Sequence, residues 1–366
     1  MFAVGVVVHE SRVRQHAEVE CVGSVHTFIR RRLRTILEAA GLDWQSVIRD
    51  RLSCWLHGTV DVDGWLRQFE LLGSNRWIGE TLLQFADIWD SNRLAAALGL
   101  PDAATLDLDR TTTFAVNRFV AGKSADIIAN MAKKRTGGVV SDLAEAIRMH
   151  RFSKITVLED CLLSGTEATR VVEQLLGGGV HRERKSDQVD SAYLQDCVVH
   201  LRYALVADWG KARLASFLHD RQINMRFVHD ETPTMFAIEV LSAEGLKAVQ
   251  EQRILASDSS VADEEFVVPL AFRPAVWKDD VNLRTRAMDM CRSVGEQLIR
   301  AFVRTKGWSW SDRRIADAAL GAWRQGLLVV FAHSVPKETL PLLWARGEVK
   351  WGRRRLQWKP LLPCAE

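Results

Sequence analysis

The sequence predicts an α/β fold: a mainly parallel sheet flanked by helices, with an N-terminal helical region and a C-terminal extension that completes the sheet. Three observations predict it. Between residues 111 and 176, strand and helix patterns follow one another as strand, helix, helix, strand, helix, the order of a parallel sheet with crossover helices. Residues 24–100 place apolar and aromatic side chains at helical spacing. Residues 327–332, LLVVFA, read as a buried strand.

Composition restricts the class of protein. The chain has 366 residues, 47% of them apolar and 26% charged, with a net charge of +3, which is the balance of a soluble globular protein. A net charge this small does not attract nucleic acid to the protein as a whole, so any binding of nucleic acid needs a local basic patch. The six cysteines include no CxxC pair, which argues against a zinc ribbon or a disulfide framework and favours a cytoplasmic protein.

No stretch of the sequence reads as a membrane or export segment. No run approaches the roughly 18 apolar residues of a membrane span. Residues 1–8 are apolar, but no basic segment precedes them and His9 and Glu10 follow. We therefore expect a buried first strand there and no signal peptide.

The first 100 residues predict a mainly helical region. Residues 25–37 have helical spacing around the basic run 30–34. The same periodicity continues through a block rich in aromatic residues, namely Trp65, Phe69, Leu72, Trp77, Leu82, Leu83, Phe85, Ile88 and Trp89. Aromatic residues at such spacing are usually core, so we interpret this block as a helical subdomain or cap.

The central region, residues 101–345, predicts the α/β domain. Residues 111–120 and 154–159 are strands, residues 125–134 and 165–176 are helices, and Ser141 or Asp142 caps another helix. A glycine-rich, charged stretch at 177–185 marks an inserted loop. Further strands are expected at 198–206, 225–229, 235–240 and 327–332, helices at 209–218, 243–251, 283–304 and 312–323, and a polar loop at 253–265. Residues 346–366 form a basic, tryptophan-rich tail.

The segment 155–167 carries the clearest chemistry. A buried strand ends in Glu159 and Asp160, and Ser164, Gly165 and Thr166 then open a helix. A helix N-terminus with hydroxyl donors and a glycine can bind a phosphate. Carboxylates at the carboxyl end of a parallel strand can accept hydrogen bonds from ribose hydroxyls. The sequence thus favours a ribose 5-phosphate site, although the same residues are also compatible with an ordinary turn whose Ser or Thr caps a helix.

A second loop fits the same scheme. Residues 121–124, Ala-Gly-Lys-Ser, follow the strand at 111–120. Lys123, with Arg118 nearby, could neutralise a pyrophosphate, and Ser124 is a further candidate residue for binding it. Mg²⁺ is expected there because it bridges phosphates while keeping most of its waters, with Asp160 as its protein ligand. Alternatively, Lys123 is a solvated turn lysine. A P-loop is rejected because Arg118 stands where its first glycine is required.

Residues 155–167 resemble the signature of type I phosphoribosyltransferases: apolar residues, two acids and a small Ser/Thr-Gly loop. The resemblance implies that Glu159 and Asp160 contact the ribose hydroxyls and that the loop 164–167 binds the 5-phosphate. The loop here is Ser164-Gly165-Thr166-Glu167, whereas many members have Thr-Gly-Gly-Thr.

The C-terminal part has a distinctive series of residues: an apolar strand ending in His333, then Thr339, Leu340, Pro341 and Trp344, and finally Trp358, Pro360 and Leu361. This series resembles the C-terminal signature of phosphoribosyltransferase-like effectors of bacterial conflict systems. Ser334 and Lys337 depart from positions where Asn is common in that group. The resemblance extends over roughly residues 60–363, with the Trp65–Trp89 block included.

This second resemblance implies an antiphage effector. Such a protein would act on phosphoribosyl pyrophosphate or a nucleotide, and a partner would hold it inactive until infection. Some members are encoded beside retron reverse transcriptases, so a reverse transcriptase with its msDNA or RNA is the expected partner. The oligomeric state is open.

Three further features each have two interpretations. His333 can act on a leaving group at the edge that carries Glu159 and Asp160, or it can be a satisfied histidine that bonds the turn at Pro336. Cys161 follows the acids, but a core or loop cysteine is the simpler interpretation. Residues 350–359 and 30–34 combine basic residues with aromatic or apolar residues. They can bind single-stranded nucleic acid, or they can form a surface segment that packs on the protein.

The favoured function from sequence is therefore a phosphoribosyltransferase-like effector that performs glycosyl transfer or N-glycosidic cleavage at ribose C1. Glu159, Asp160 and His333 are its candidate catalytic residues. The alternatives are a catalytically silent ligand-sensing module and a nucleic-acid-binding module on the same fold.

Overall fold

The computed structural model describes residues 43–73, 75–100, 113–117, 123–138, 140–149, 154–177, 188–190, 193–194, 197–223, 225–227, 236–250 and 267–362. The strand expected at 1–8, the helix at 25–37 with its basic run 30–34 and the polar loop at 253–265 lie outside these residues. The elements in chain order are α1 (Trp44–Leu52), α2 (Val62–Leu71), α3 (Arg76–Gln84), β1 (Asp87–Trp89), α4 (Ser91–Ala97), β2 (Thr113–Val116), α5 (Ser124–Thr136), β3 (Val140–Asp142), α6 (Leu143–Met149), β4 (Lys154–Leu162), α7 (Thr166–Leu175), β5 (Val198–Ala207), α8 (Asp208–Asp220), β6 (Met225–Phe227), β7 (Phe236–Ile238), α9 (Ala243–Gln250), α10 (Val281–Thr305), α11 (Asp312–Ala318), β8 (Val329–Phe331), α12 (Pro341–Trp344), β9 (Gly347–Trp351) and β10 (Arg354–Trp358).

A six-stranded sheet with parallel pairing lies at the centre. Its strand order is β3-β2-β4-β5-β6, and β7 also pairs with β5, next to the later residues of that strand. The longest pairing joins β4 to β5, from Lys154 opposite Val198 to Leu162 opposite Val206. Helices connect the strands as crossovers. The predicted α/β class with a mainly parallel sheet is therefore confirmed.

Helices cover both faces of this sheet, as parallel sheets require. On one face, Phe114 and Leu158 join a core with Ile128 of α5. On the other face, Ala115 and Val157 join a core with residues of α6, α7 and α8. Neighbouring strand residues enter opposite cores because successive side chains point to opposite sides.

The C-terminal strand does not complete the central sheet, contrary to the prediction. β8 pairs with β1 in a separate two-stranded parallel sheet, with Asp87 opposite Val329 and Trp89 opposite Phe331. β1 was not anticipated because it is three residues long and lies within a block whose aromatic residues have helical spacing. The tail forms the antiparallel hairpin β9–β10.

One hydrophobic core combines the N-terminal helices with the C-terminal segments. It contains Trp65 and Phe69 of α2, Leu298 of α10, and Trp358 of β10. The rings of Phe69 and Trp358 lie 5.2 Å apart, and the Trp358 Nε1–H donates to the carbonyl of Leu342 over 3.0 Å. This core crosses both expected domain boundaries, at 100 and at 345, and the boundaries themselves stay predictions.

The helix α10 is the longest described element, with 25 residues. The helix expected at 312–323 is shorter than predicted: α11 ends at Ala318, and the chain then turns through positive φ angles of 93° at Gly321 and 58° at Trp323. Within the described ranges, no helix is both long and apolar enough to cross a bilayer.

Candidate active site

The strand β4 carries both predicted acids within its length. It continues to Leu162, because Cys161 and Leu162 still pair with Leu205 and Val206 of β5. The strand was expected to end at the acids, at residue 159, so this boundary was three residues too early. Glu159 and Asp160 are consecutive in a strand, and their carboxylates consequently have different partners.

Asp160 forms the centre of a buried polar cluster. Its Oδ2 lies 3.1 Å from Nε2 of His333 and accepts a 3.4 Å hydrogen bond from the Ser334 hydroxyl. Its Oδ1 accepts from the backbone N–H of Cys161 over 2.7 Å, and the Ser124 hydroxyl also donates to this carboxylate. Burial alone would raise the pKa of Asp160, but these donors and the charge of His333 together hold it below its ordinary value.

Glu159 has a different environment. Its Oε1 accepts a 3.1 Å hydrogen bond from the backbone N–H of Asn117, the residue after β2, and it lies in register with Tyr203 of β5. Burial, and then the neighbouring charge of Asp160, raises the pKa of Glu159 to about 8. At neutral pH this carboxyl therefore holds a proton, whereas Asp160 is ionised. The two acids are suited to different roles.

The turn between β4 and α7 requires a glycine. Gly165 is the N-cap of α7 with φ 73°, a left-handed conformation that glycine adopts without steric cost. A Cβ at this position would lie 3.0 Å from the carbonyl oxygen of Gly210 in α8. The carbonyl of Leu163 in the same turn accepts from Nε2 of Gln325 over 3.1 Å. The turn is thus fixed by close backbone packing and leaves the first amides of α7 without partners inside the helix.

A carboxylate of the chain itself binds this turn. Both the hydroxyl and the backbone N–H of Ser164 donate to the side chain of Glu338. Burial raises the pKa of Glu338, although the bonds from Ser164 and the charge of Lys337 oppose that shift. The Ser164 donors that the sequence assigned to a phosphate therefore bind an internal anion in this structure.

The outer side of the turn carries a guanidinium. Nη1 of Arg213 in α8 donates to Oγ1 of Thr166 over 2.9 Å and lies 3.5 Å from the carbonyl oxygen of Ser164. Its Cζ lies 5.0 Å from the centroid of the Trp323 ring. Glu167 is exposed and pairs with Arg170 one turn further along α7. The guanidinium of Arg213 supplies positive charge beside the first turn of α7.

The second predicted loop, residues 121–124, contributes a residue that contacts Asp160. Ser124 begins α5, and its hydroxyl donates to Asp160. Lys123, the N-cap of that helix, is exposed. Residues 118–122 lie outside the described part of the chain, so the rest of this loop is not placed.

Magnesium stays an expectation, and its suggested ligand is poorly suited to it. Asp160 already accepts hydrogen bonds at both carboxylate oxygens. Among the described residues, no group of three or more His, Cys, Asp or Glu side chains could hold a metal ion.

The Cys161 thiol follows Asp160 in β4. Burial, together with the charges of Asp160 and Glu338, raises the pKa of this thiol well above its ordinary value. A thiol that resists ionisation is a weak nucleophile. This supports the interpretation of Cys161 as a structural residue.

Three residues around the turn were missed from sequence: Arg213, Gln325 and Glu338. Arg213 lies in an otherwise ordinary helix pattern, so no local signal identified it. Gln325 is fully buried, and its Oε1 has no hydrogen-bond partner in the described part of the chain. Glu338 stands beside Lys337 within the C-terminal signature, which was the one available clue.

The tail packs as a hairpin. Trp358 is fully buried, Nη1 of Arg354 donates to the carbonyl of Leu71 over 2.8 Å, and Arg355 pairs with Glu348. These contacts agree with the interpretation of residues 350–359 as a surface segment that packs on the protein. Stacking of bases on Trp358 is excluded by its burial.

Comparison with known proteins identifies the class. A buried acid in a parallel strand, followed by a glycine turn and a helix at the carboxyl edge, is consistent with a phosphoribosyltransferase-like domain. The family model PRTase-CE matches residues 109–363, more than two thirds of the chain. The chain therefore belongs to the PRTase-CE family and carries a phosphoribosyltransferase-like domain. The Trp65–Trp89 block, to which the resemblance was extended, lies outside the matched range. Searches of curated proteins and of solved structures found no match.

Proposed function

We propose that this protein binds a ribose 5-phosphate unit at the edge formed by β4 and α7, and transfers or releases the phosphoribosyl group at C1. The observation that carries the proposal is the Gly165 turn. Gly165 lies five residues after Asp160 and caps α7, packs its backbone against Gly210 and lies beside Arg213. Helix N-termini of this kind bind phosphate through several N–H donors together with a nearby cation.

The phosphate must compete with Glu338. A dianionic phosphate cannot share the donors of Ser164 with an ionised carboxylate, because like charges at contact distance repel. Since burial already raises the pKa of Glu338, the carboxyl either takes up a proton or leaves the turn when the phosphate binds. The guanidinium of Arg213 lies beside the turn, donating to Thr166, and its positive charge there can balance part of the phosphate charge.

The proposed chemistry divides the work among the side chains. When the C1–O bond to pyrophosphate breaks, positive charge develops on the ribose ring, and the acceptor atom then bonds to C1. Ionised Asp160, held by His333 and Ser124, stabilises that charge through its fixed field. Neutral Glu159 can donate a hydrogen bond, and Lys123 at the start of α5 neutralises the departing pyrophosphate. His333 keeps Asp160 oriented.

Two substitutions with opposite expected effects test the phosphate site. We would measure binding of ribose 5-phosphate and of phosphoribosyl pyrophosphate by calorimetry. Arg213→Gln removes a cation at the turn and should weaken binding roughly tenfold, the scale of one charged hydrogen bond. Glu338→Gln removes the competing anion and should strengthen binding and make it less dependent on pH.

The control is Arg221→Gln, which removes the same charge at the end of α8, where Arg221 lies over the ring of Phe217. It should leave affinity unchanged. Equal affinities for wild type, Arg213→Gln and Glu338→Gln would refute the phosphate assignment. Pyrophosphate release from phosphoribosyl pyrophosphate, lost in Asp160→Asn, tests the catalytic step separately.

The contact between Ser164 and Glu338 also supports a second candidate, a ligand-sensing module. In that case the phosphate displaces Glu338 and moves the segment after β8, but no bond is broken. Binding of phosphoribosyl pyrophosphate without any pyrophosphate release, under conditions where Glu338→Gln still binds more tightly, would favour the sensor over the enzyme.

The biological setting belongs to the same proposal. As part of the proposal, the chain is an antiphage effector restrained by a retron reverse transcriptase with its msDNA or RNA. Profiling nucleotides in cells that express wild type or Asp160→Asn tests it. Equal growth arrest by both would exclude enzymatic toxicity, and co-expression of the reverse transcriptase should suppress the arrest caused by wild type.

A further inference from the structure

The loop between α10 and α11 presents aromatic surface to solvent. The side chain of Trp308 is 50% exposed, and among the large exposed hydrophobic side chains of the described residues it is the one aromatic member. The ring of Trp310 stacks on it with centroids 5.7 Å apart and planes inclined by 18°. The Cζ atom of Arg314 lies 4.3 Å from the centroid of the Trp310 ring. We call these three residues the Trp308 platform.

Aromatic residues of the core support the platform. Trp308 meets the edge of Phe302 at 5.7 Å, and Phe302 meets Trp344 in the core at 5.3 Å. Gly307, with φ 65°, lets the chain turn so that the Trp308 N–H donates to the carbonyl of Val303. A flat ring pair fixed in this way loses little conformational entropy when a ligand stacks on it.

The surroundings of the platform are positively charged. Between residues 304 and 314 the chain has four basic side chains, which are exposed, and one acid. That acid, Asp312, pairs with Arg300 at 2.7 Å, so its charge is already balanced. The remaining exposed neighbours, such as Thr305 and Ser309, are polar. A lipid surface requires a broad apolar face, and this loop does not provide one.

We propose that the Trp308 platform binds single-stranded nucleic acid, with a base stacked on Trp308 and the backbone phosphates on the cations around it. Aromatic side chains interleaved with basic residues bind unpaired strands. Every nucleobase offers a flat face for stacking, and every phosphate linkage carries a negative charge. This site is distinct from the ribose-phosphate turn and from the tail hairpin. A duplex hides its base faces and should bind less well.

The test uses the full chain and fluorescently labelled oligo(dT) and oligo(U) of about 20 nucleotides, a little longer than the site of one single-strand-binding fold. Anisotropy gives the affinity of each strand and of a matched duplex. Trp308→Ala should weaken single-strand binding about 5- to 150-fold, the range for one lost stacking contact. Trp308→Phe should retain most of the affinity, and Arg314→Gln should reduce the dependence on salt.

The matched control is Arg221→Gln, which removes another arginine that lies over an aromatic ring and should change neither affinity nor salt dependence. Melting temperatures establish that each variant is folded. The proposal is overturned if neither oligonucleotide binds wild type at low salt, if Trp308→Ala binds as tightly as wild type, or if the duplex binds as well as the single strands. The two labelled strands distinguish DNA from RNA as the preferred form.

Discussion

Nε2 of His333 lies 3.1 Å from Oδ2 of Asp160, and the side chains are only 3% and 11% exposed, respectively. The contact joins the segment after β8 to the carboxyl-terminal part of β4, across 173 positions of sequence. The ring of His333 therefore contacts Asp160 and not the turn at Pro336, and its proposed action on a leaving group stays a prediction. The same contact brings Glu338 within reach of Ser164, because His333 and Glu338 both belong to the segment that follows β8.

Removing the histidine should destabilise the protein. His333→Ala leaves the buried Asp160 carboxylate without its principal donor, and we expect the free energy of unfolding to fall by about 3 kcal/mol. Ser334→Ala, which removes only a 3.4 Å hydroxyl contact with the same carboxylate, should cost less than about 1 kcal/mol. Urea denaturation at neutral pH measures both. Equal losses for the two variants would contradict the central position given to His333.

The pair also determines behaviour in acid. Because the pKa of Asp160 is lowered in the folded protein, its ionised form contributes stability above the unfolded pKa, and this contribution is lost as the pH falls through the folded pKa. In His333→Ala the lowered pKa should move back toward its ordinary value. The variant should consequently show a shallower loss of stability in acid than wild type does.

Glu159 should have the opposite pH dependence. Its pKa rises from an ordinary 4.5 to about 8 in the folded protein, so the folded state holds a proton that the unfolded chain has released. The contribution of Glu159 to the free energy of unfolding is therefore greatest below about pH 4.5, and it decreases as the pH rises to about 8. Glu159→Gln should remove that decrease. Denaturation series at several pH values measure it, and parallel profiles for wild type and Glu159→Gln would show that the carboxyl is ionised at neutral pH.

The parts of the fold that were predictable are those with local signals. The strand patterns at 154–159 and 198–206 identified β4 and β5, and the glycine after two acids identified the turn at Gly165. These features depend on the periodicity of a few consecutive residues and on the conformational freedom of glycine. The parallel sheet then follows from the order of strands and helices.

The parts that could not be predicted depend on distant contacts. Arg213 reaches Thr166 across 47 positions, and Glu338 binds Ser164 from the far end of the chain. No local pattern marks Arg213, because it lies on an ordinary helix until the fold brings it to the turn. The one local clue to Glu338 was its place beside Lys337 in the C-terminal signature, and that clue does not indicate Ser164 as its partner. The pairing of β1 with β8 was missed for the same reason: three residues are too few to show a strand period.

The tail should be an integral part of the core. Trp358 is fully buried against Phe69 and Trp65 and donates to the carbonyl of Leu342. Trp358→Ala should lower the free energy of unfolding by about 3–5 kcal/mol, the usual loss for a large buried aromatic side chain. Trp308→Ala, at a half-exposed site, is the control and should cost much less. A small effect of Trp358→Ala on thermal unfolding would mean that residues 346–366 behave as a separate tail.

The turn at Gly165 permits a final, internally controlled prediction. Gly165 and Gly137 both have left-handed backbones, with φ 73° and 64°, but a Cβ at Gly137 would meet nothing within 4 Å, whereas one at Gly165 would meet the carbonyl oxygen of Gly210 at 3.0 Å. Gly137→Ala should cost about 1–2 kcal/mol of stability from the backbone alone and leave ribose 5-phosphate binding unchanged. Gly165→Ala should cost more, because the turn must shift, and it should also weaken that binding by about tenfold as the first amides of α7 move. Calorimetric titration of both variants separates the two effects, and equal affinities for them would mean that the phosphate does not bind at this turn.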